Sequence, residues 1–440
     1  MSRCLKLMSI LAIVALIAVP AFAEVQNVKV SGDIDSKMIN RSNYDLGSGT
    51  STATNNDNDT WFMSTTRVQI DADLTDNVST CVRLLNERDW DVESATTTGI
   101  NLDLSYVKLK EMFYAPLTVT IGRQNIRLGN GLVVGDPDTN DTRVASTITA
   151  QDLSVRKSFD AVRASFDYNP LVLDVLFAKV DARTIGTTNG NDESNLYGIN
   201  AAYKFNQYNS EAEAYAIAKI DRGADTTPQA TDKVYVYGVR GSLEPISKLV
   251  LNGELAMQRG DYVTSTTAKR DRDAWAADVA ASYAIDYKWS PKVGVGYVYR
   301  SGNKATDTTG DYKAWDTMYE DQTHGIVANY IFDGINEGGD SNSQIITASA
   351  SVVPVKDLTV AVDYYNFELA QKLTNLSVMG DIIMTDKKVL GQEVDLSLGY
   401  DYTEDVKLGL TAGFFLPGDA FSSVNDSTAS TVMADVKVSF

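Results

Sequence analysis

The sequence predicts an all-β protein: a transmembrane antiparallel β-barrel of about 18 strands, with short periplasmic turns and long extracellular loops. Three observations carry this expectation. The chain opens with the pattern of an export signal. Beyond it, no apolar run approaches the roughly 18–20 residues that a membrane helix needs. In place of such runs, apolar and polar residues alternate over segments of strand length.

The export signal is read first. Arg3 and Lys6 precede a wholly apolar run at 10–19, and Ala21-Phe22-Ala23 forms an A-x-A cleavage site before Glu24. The expected division is a cleaved signal peptide at 1–23 and an outer-membrane barrel at 24–440, placed in a Gram-negative bacterial outer membrane. Cys4 leaves with the signal, so Cys81 has no intramolecular disulfide partner and reads as a small packing residue. An exported chain that cannot cross lipid as helices must cross it as a closed barrel, where every backbone group is paired.

Composition narrows the chemistry. The net charge is −19, and loss of Arg3 and Lys6 makes it −21, which argues against a nucleic-acid partner. One His and two Cys exclude most metal sites and nearly all His-based acid–base chemistry. His324 would have to serve any Ser-His-Asp site, and no G-x-S-x-G elbow accompanies it. The expectation is a protein that is not an enzyme and has no cofactor. The Asn- and Asp-rich clusters at 55–59 and 136–141 could offer oxygen ligands to Ca²⁺, but they lack EF-hand spacing and read as solvated surface.

The strands follow from period-2 patterning. Val68, Ile70 and Ala72 alternate with Arg67, Gln69 and Asp71; Leu396 and Leu398 alternate with Asp395 and Ser397; Val162, Ala164 and Phe166 alternate with Arg163, Ser165 and Asp167. Short joints fall near 74–79, 112–117, 168–171, 205–209, 243–249, 285–292, 353–358 and 402–407. Long polar stretches fall at 40–60, 89–100, 128–152, 181–193, 221–231, 260–271, 300–343, 369–389 and 417–428. Eight short joints alternating with nine long ones separate 18 strands, an even number with both termini at the short-turn end. Residues 322–331 alternate poorly and belong inside the seventh loop. Tyr235, Tyr237, Tyr297, Tyr299, Tyr364, Tyr365, Tyr400 and Tyr402 lie near strand ends, as an interfacial aromatic girdle would. The last strand alternates and stops on Phe440, which resembles the signal read by the barrel-assembly machinery.

Three segments carry a family resemblance. Leu390-Gly391-Gln392-Glu393-Val394-Asp395-Leu396, with Tyr400 and Gly413-Phe414-Phe415-Leu416-Pro417-Gly418, resembles the closing hairpin of the alginate export family of outer-membrane porins. Ile121-Gly122-Arg123-Gln124 and the Gly-rich loop at 129–136 resemble that family's central signature. Asp321-Gln322-Thr323-His324-Gly325, leading to Ile331-Phe332-Asp333-Gly334, resembles its long constriction-forming loop. The resemblance implies an 18-stranded barrel, in agreement with the count, and its founding members export an anionic polysaccharide through an arginine-rich pore.

The candidate functional residues are inward side chains. Alternation places Arg67, Arg83 and Arg163 toward the lumen, and Arg123 and Arg127 flank the third loop, so these five are expected to line the pore and select anions. Lys108 and Lys110 follow a break in alternation at Leu102 and Leu104, where a bulge is expected. Asp136, Asp321 and His324 mark loops long enough to fold inward and form a constriction. Strand acids including Asp71, Asp103, Asp167, Asp174, Glu211, Glu213, Glu254, Asp278, Asp363 and Asp395 offer the opposite outcome, in which the cations pair across the wall. The expected function is a porin passing hydrophilic solutes, anionic sugars or polysaccharide among them. Two alternatives stand beside it: a dedicated alginate-type export channel, and a barrel scaffold around a periplasmic or surface partner. Outer-membrane lipid and lipopolysaccharide are the expected surroundings.

Overall fold

The computed structural model describes residues 27–47, 58–91, 99–137, 148–181, 193–222, 231–265, 268–304, 306–333, 340–373, 377–378 and 382–440. The signal peptide expected at 1–23 lies outside the described residues, as do 55–57 and 138–141 of the polar clusters.

Twenty strands are present among the described residues. They are β1 (Asn27–Ser42), β2 (Asp59–Thr75), β3 (Val78–Asp89), β4 (Asn101–Lys110), β5 (Leu117–Asn125), β6 (Ser158–Asp167), β7 (Leu171–Asp181), β8 (Ser194–Phe205), β9 (Ser210–Asp221) and β10 (Asp232–Ile246). There follow β11 (Leu249–Ser265), β12 (Ala268–Ala284), β13 (Lys292–Arg300), β14 (Ser343–Val355), β15 (Leu358–Leu369), β16 (Ser377–Val378), β17 (Ile382–Ile383), β18 (Val389–Asp401), β19 (Val406–Pro417) and β20 (Ala429–Ser439). The short β16 and β17 pair with each other inside the eighth loop. The other 18 strands make one antiparallel sheet, and β20 pairs with β1 to close it. Closure leaves no edge strand with unpaired backbone groups.

Alternation sets the faces as expected. Val28, Val30, Val162, Leu396 and Leu398 are exposed on the outside, while Arg67 lies opposite Asp33 on the inside. The expected bulge in β4 is also present: Arg83 pairs Leu104 and Leu84 pairs Leu102, which leaves Asp103 as the extra residue. Leu102 is exposed outside and Leu104 buried inside as a result. Tyr365 of the proposed girdle faces inward, in register with Glu393.

Two expectations need correction. The polar stretch 260–271 is not a long loop. β11 and β12 run through it, 17 residues each, and meet across 266–267. Charges pair along the ribbon: Lys269 binds Asp261 at 2.7 Å within the stretch, and Arg259 binds Asp273 at 2.6 Å just beyond its ends. The second correction concerns the inner face, which is not uniformly polar. Toward the long-loop end, Leu176, Ala178, Leu196, Val234, Val236, Ala274 and Ala276 point inward and are buried. They pack on Leu132, Val133 and Val134 of the third loop and on Trp315 and Met318 of the seventh. The hydrophobic core therefore lies inside the barrel, between wall and infolded loops. A second core joins Phe367, Leu390 and Phe415 of the wall to Val327, Ile331 and Phe332 of the seventh loop. That loop carries a short helix, α1 (Ala328–Asp333), and no barrel strand in 322–331, as expected.

Candidate functional site

The site begins with the third loop, 126–157. After β5 the chain turns back at Gly129 and Gly131, whose φ angles of +58° and +80° are left-handed and favour glycine. The turn is closed by hydrogen bonds from the amide of Gly131 to the carbonyl of Leu128 and from Leu128 to Val134, both 3.0 Å. Val134 then forms a parallel bridge with Tyr319 of the seventh loop, 301–342. The amides of Gly135 and Tyr319 donate across it at 2.7 and 3.1 Å. The two loops thus form one body inside the barrel.

The elbow at Gly129-Asn130 lies on a row of charged wall residues. Glu213, Arg240, Glu254 and Asp278 stand directly opposite one another on β9, β10, β11 and β12. The amides of Gly129 and Asn130 donate to Glu213 and Glu254 at 3.1 and 2.5 Å. The Asn130 side chain donates to Asp278 at 3.1 Å and accepts from Arg240 at 2.7 Å. Gln322 of the seventh loop donates to the same Asp278 at 2.9 Å and accepts from Arg300 at 2.8 Å. Buried carboxylates require such donors, so the acidic row holds the elbow in place. The approach is close: a Cβ on Gly129 would lie 2.5 Å from the Glu254 carboxylate.

The seventh loop has its own anchors. Asp316 binds Lys219 at 2.7 Å and Arg272 at 3.4 Å, and its backbone exchanges two hydrogen bonds with the Gln258 side chain. Burial pushes the Asp316 carboxyl up, but the charges of Lys219 and Arg272 outweigh it and hold the group below the ordinary carboxylate range. Farther along, Asp321 receives both Arg127 and Lys157 of the third loop. His324 follows, where burial and the nearby Arg300 charge push its imidazole down to about 3. The amides of Ile326, Val327 and Ala328 then donate to Asp395 and Glu393 at 3.2, 2.8 and 2.7 Å.

The opposite wall is basic at its surface. Arg67 pairs with Asp33 at 2.8 Å, Arg83 with Asp103 at 2.5 Å and Arg163 with Asp174 at 2.7 Å. Lys108 shares this inner face, in the same register row as Arg163 with Thr120 between them. Arg127 meets Asp321 of the seventh loop. Asp136 is buried at the bridge between the loops, its amide 3.1 Å from the Tyr319 carbonyl. Arg123 departs from the expected pore lining. It sits opposite Asp160 and binds it at 3.0 Å, and Asp160 shares the outward face of Val162. Period-2 parity from Ile121 carries this signal, which its nearness to the Gly-rich loop masked. No break in alternation marks Asn130, Lys157, Arg240 or Gln322 in the sequence, and no motif sets one of them apart from its neighbours. Arg240 and its acidic neighbours share strand parity, but the elbow that meets them is more than 80 residues away in the chain.

The sequence profile of the family described as "Alginate export" matches residues 34–435. The chain belongs to the alginate export family. Among solved structures, the fold is similar to the outer membrane protein OpdK of Pseudomonas aeruginosa, with 11% identity and a TM-score of 0.57 over 94% of this chain and 99% of that one. OccK2 (OpdF) of Pseudomonas aeruginosa in complex with glucuronate matches at 13% identity and a TM-score of 0.55, over 94% and 99% of the two chains. A BenF-like porin from Pseudomonas fluorescens Pf-5 matches at 12% identity and 0.57, over 94% and 100%. No curated protein matches the chain significantly. The family and fold are those of outer-membrane porin-like channels.

Proposed function

We propose that this barrel is a passive outer-membrane channel for small hydrophilic anions, with uronate-type carboxylates as the favoured class. One observation carries the reading. In the lumenal ion pairs of β1–β7, the cation is the more exposed member and the carboxylate lies beneath it. Side-chain exposures are 31% for Arg163 against 3% for Asp174, 15% for Arg83 against 0% for Asp103, and 22% for Arg67 against 15% for Asp33. Arg127 and Lys157 are 48% and 42% exposed over Asp321 at 17%. The wall therefore presents guanidinium and ammonium groups to passing solute despite the chain's net charge of −19. Donors on a planar fork suit a carboxylate.

The infolded third and seventh loops favour small solutes over a polymer, because buried charge networks and an apolar core tie both loops to the wall. Glucuronate bound to the similar barrel OccK2 is consistent with this class. In this reading the long loops are extracellular and the short turns periplasmic. The outer face meets membrane lipid and lipopolysaccharide, and the strand ending at Phe440 is read by the assembly machinery.

The test is single-channel recording in a planar bilayer under a salt gradient. Anion-biased reversal with block by glucuronate is the expected result. Block by polyuronate at far lower concentration than by the monomer would favour dedicated polysaccharide export. A folded barrel without conductance would favour the scaffold.

A further inference from the structure

The third and seventh loops meet at a triplet of charge. Arg127 comes from the elbow of the third loop and Lys157 from its last residue before β6, and both bind the carboxylate of Asp321. Arg127 also donates to the carbonyls of Asp321 at 3.0 Å and Asn130 at 2.7 Å, so the surrounding backbone holds its guanidinium in place without help from the carboxylate. Lys157 is 42% exposed and Arg127 48%. Two half-exposed cations share one carboxylate, leaving a net positive charge at the lumenal surface of the loops. The arrangement is the one a solute carboxylate would make with the same two groups.

We propose that Asp321 is an internal competitor: its carboxylate fills an anion site formed by Arg127 and Lys157, and a solute carboxylate binds there by displacing it. Asp321 thereby sets how long an anion stays. Strong binding would hold a solute in the channel, whereas a resident carboxylate on the seventh loop lowers the net affinity and speeds release. The site takes a single carboxylate group, the chemistry that Asp321 itself supplies. The inference rests on the anion-channel reading above.

The experiment measures concentration-dependent block of single-channel current by glucuronate in the full-length barrel, with folding checked by heat-modifiable gel mobility. Asp321→Asn, which keeps the shape and removes the charge, should bind glucuronate roughly tenfold more tightly and lengthen each block, since a charged hydrogen-bond partner becomes available to solute. Lys157→Gln, which leaves Asp321 to Arg127 alone, should weaken binding. It also keeps the test informative if Asp321→Asn does not fold. An anion-biased wild type whose glucuronate block is unchanged in either folded variant overturns the inference alone. A wild type without anion bias removes the reading on which it stands.

Discussion

The ring of Phe440 lies on Gly32, and the two residues exchange both backbone hydrogen bonds, at 2.8 and 3.0 Å. This contact is the last rung of the seam between β20 and β1, one residue beyond the Asp33–Ser439 pair. A Cβ on Gly32 would sit 2.4 Å from the Arg67 carbonyl and 2.7 Å from the Phe440 ring. The β2 backbone cannot yield there without opening its pairing with β1, and the Phe440 ring cannot move without leaving the seam. Gly32→Ala should therefore destabilise the barrel by about 1–3 kcal/mol, the usual result of overpacking. Gly399→Ala is the matched control, since nothing lies within 4 Å of its added Cβ. Urea titration followed by gel mobility would separate the two, and equal midpoints would refute the seam argument.

The ion pairs of the basic wall should respond unequally to loss of either partner. Arg83→Gln leaves the fully buried Asp103 carboxylate without its cation, and removal of one partner from a buried pair costs about 3–5 kcal/mol. Asp174→Asn removes the buried member of the Arg163 pair instead and frees an arginine that is already 31% exposed. That variant should shift the reversal potential further toward anions at a smaller loss of stability. A cation-ward shift would contradict the proposed surface charge of this wall.

The elbow of the third loop should govern conductance. Asn130 is the shared partner of Arg240 and Asp278. Asn130→Ala leaves Asp278 to Gln322 and Arg240 to Glu211, and each lost hydrogen bond to a charged group costs about 1.5–3 kcal/mol. The expected phenotype is a larger and noisier single-channel current, as the elbow detaches from the wall. A current identical to wild type would show that the elbow does not narrow the path.

Acid should loosen the seventh loop through His324. Its imidazole titrates near 3 in the folded loop against 6.5 when unconstrained. A depressed base binds fewer protons folded than released, so the loop is fully held above about pH 6.5. It loses about 1.4 kcal/mol per pH unit as pH falls from there toward 3. Protection from hydrogen exchange across 321–333, referred to the intrinsic exchange rate at each pH, should fall over that window in the wild type. The His324→Gln variant should show a flatter pH dependence, and an equal slope in the two proteins would exclude His324 as the source.

The barrel was legible because the outer face of each strand obeys a local rule. Side chains such as Val28, Val30, Leu396 and Leu398 must be apolar at every second position whatever their neighbours do. Strand existence and the inward face of Arg67, Arg83 and Arg163 follow from that rule, and the strand number from the joints between strands. It fails where a second apolar surface enters the lumen. Val234 and Val236 face inward and Tyr235 and Tyr237 outward, so this segment of β10 shows no alternation to read. The stretch 260–271 failed for the converse reason, since ion pairs along a ribbon look like solvated loop in sequence.

The closed 18-stranded wall and the family are thus written in local periodicity and short motifs. The path of the loops is what brings Asn130 to Arg240 and joins Asp321 to Arg127 and Lys157. The loop contacts pair groups 110 and more residues apart across the barrel interior, and Asp321 finds Arg127 at a separation of 194. The pairing depends on how each loop folds back over the wall, and no local pattern of residues encodes that path.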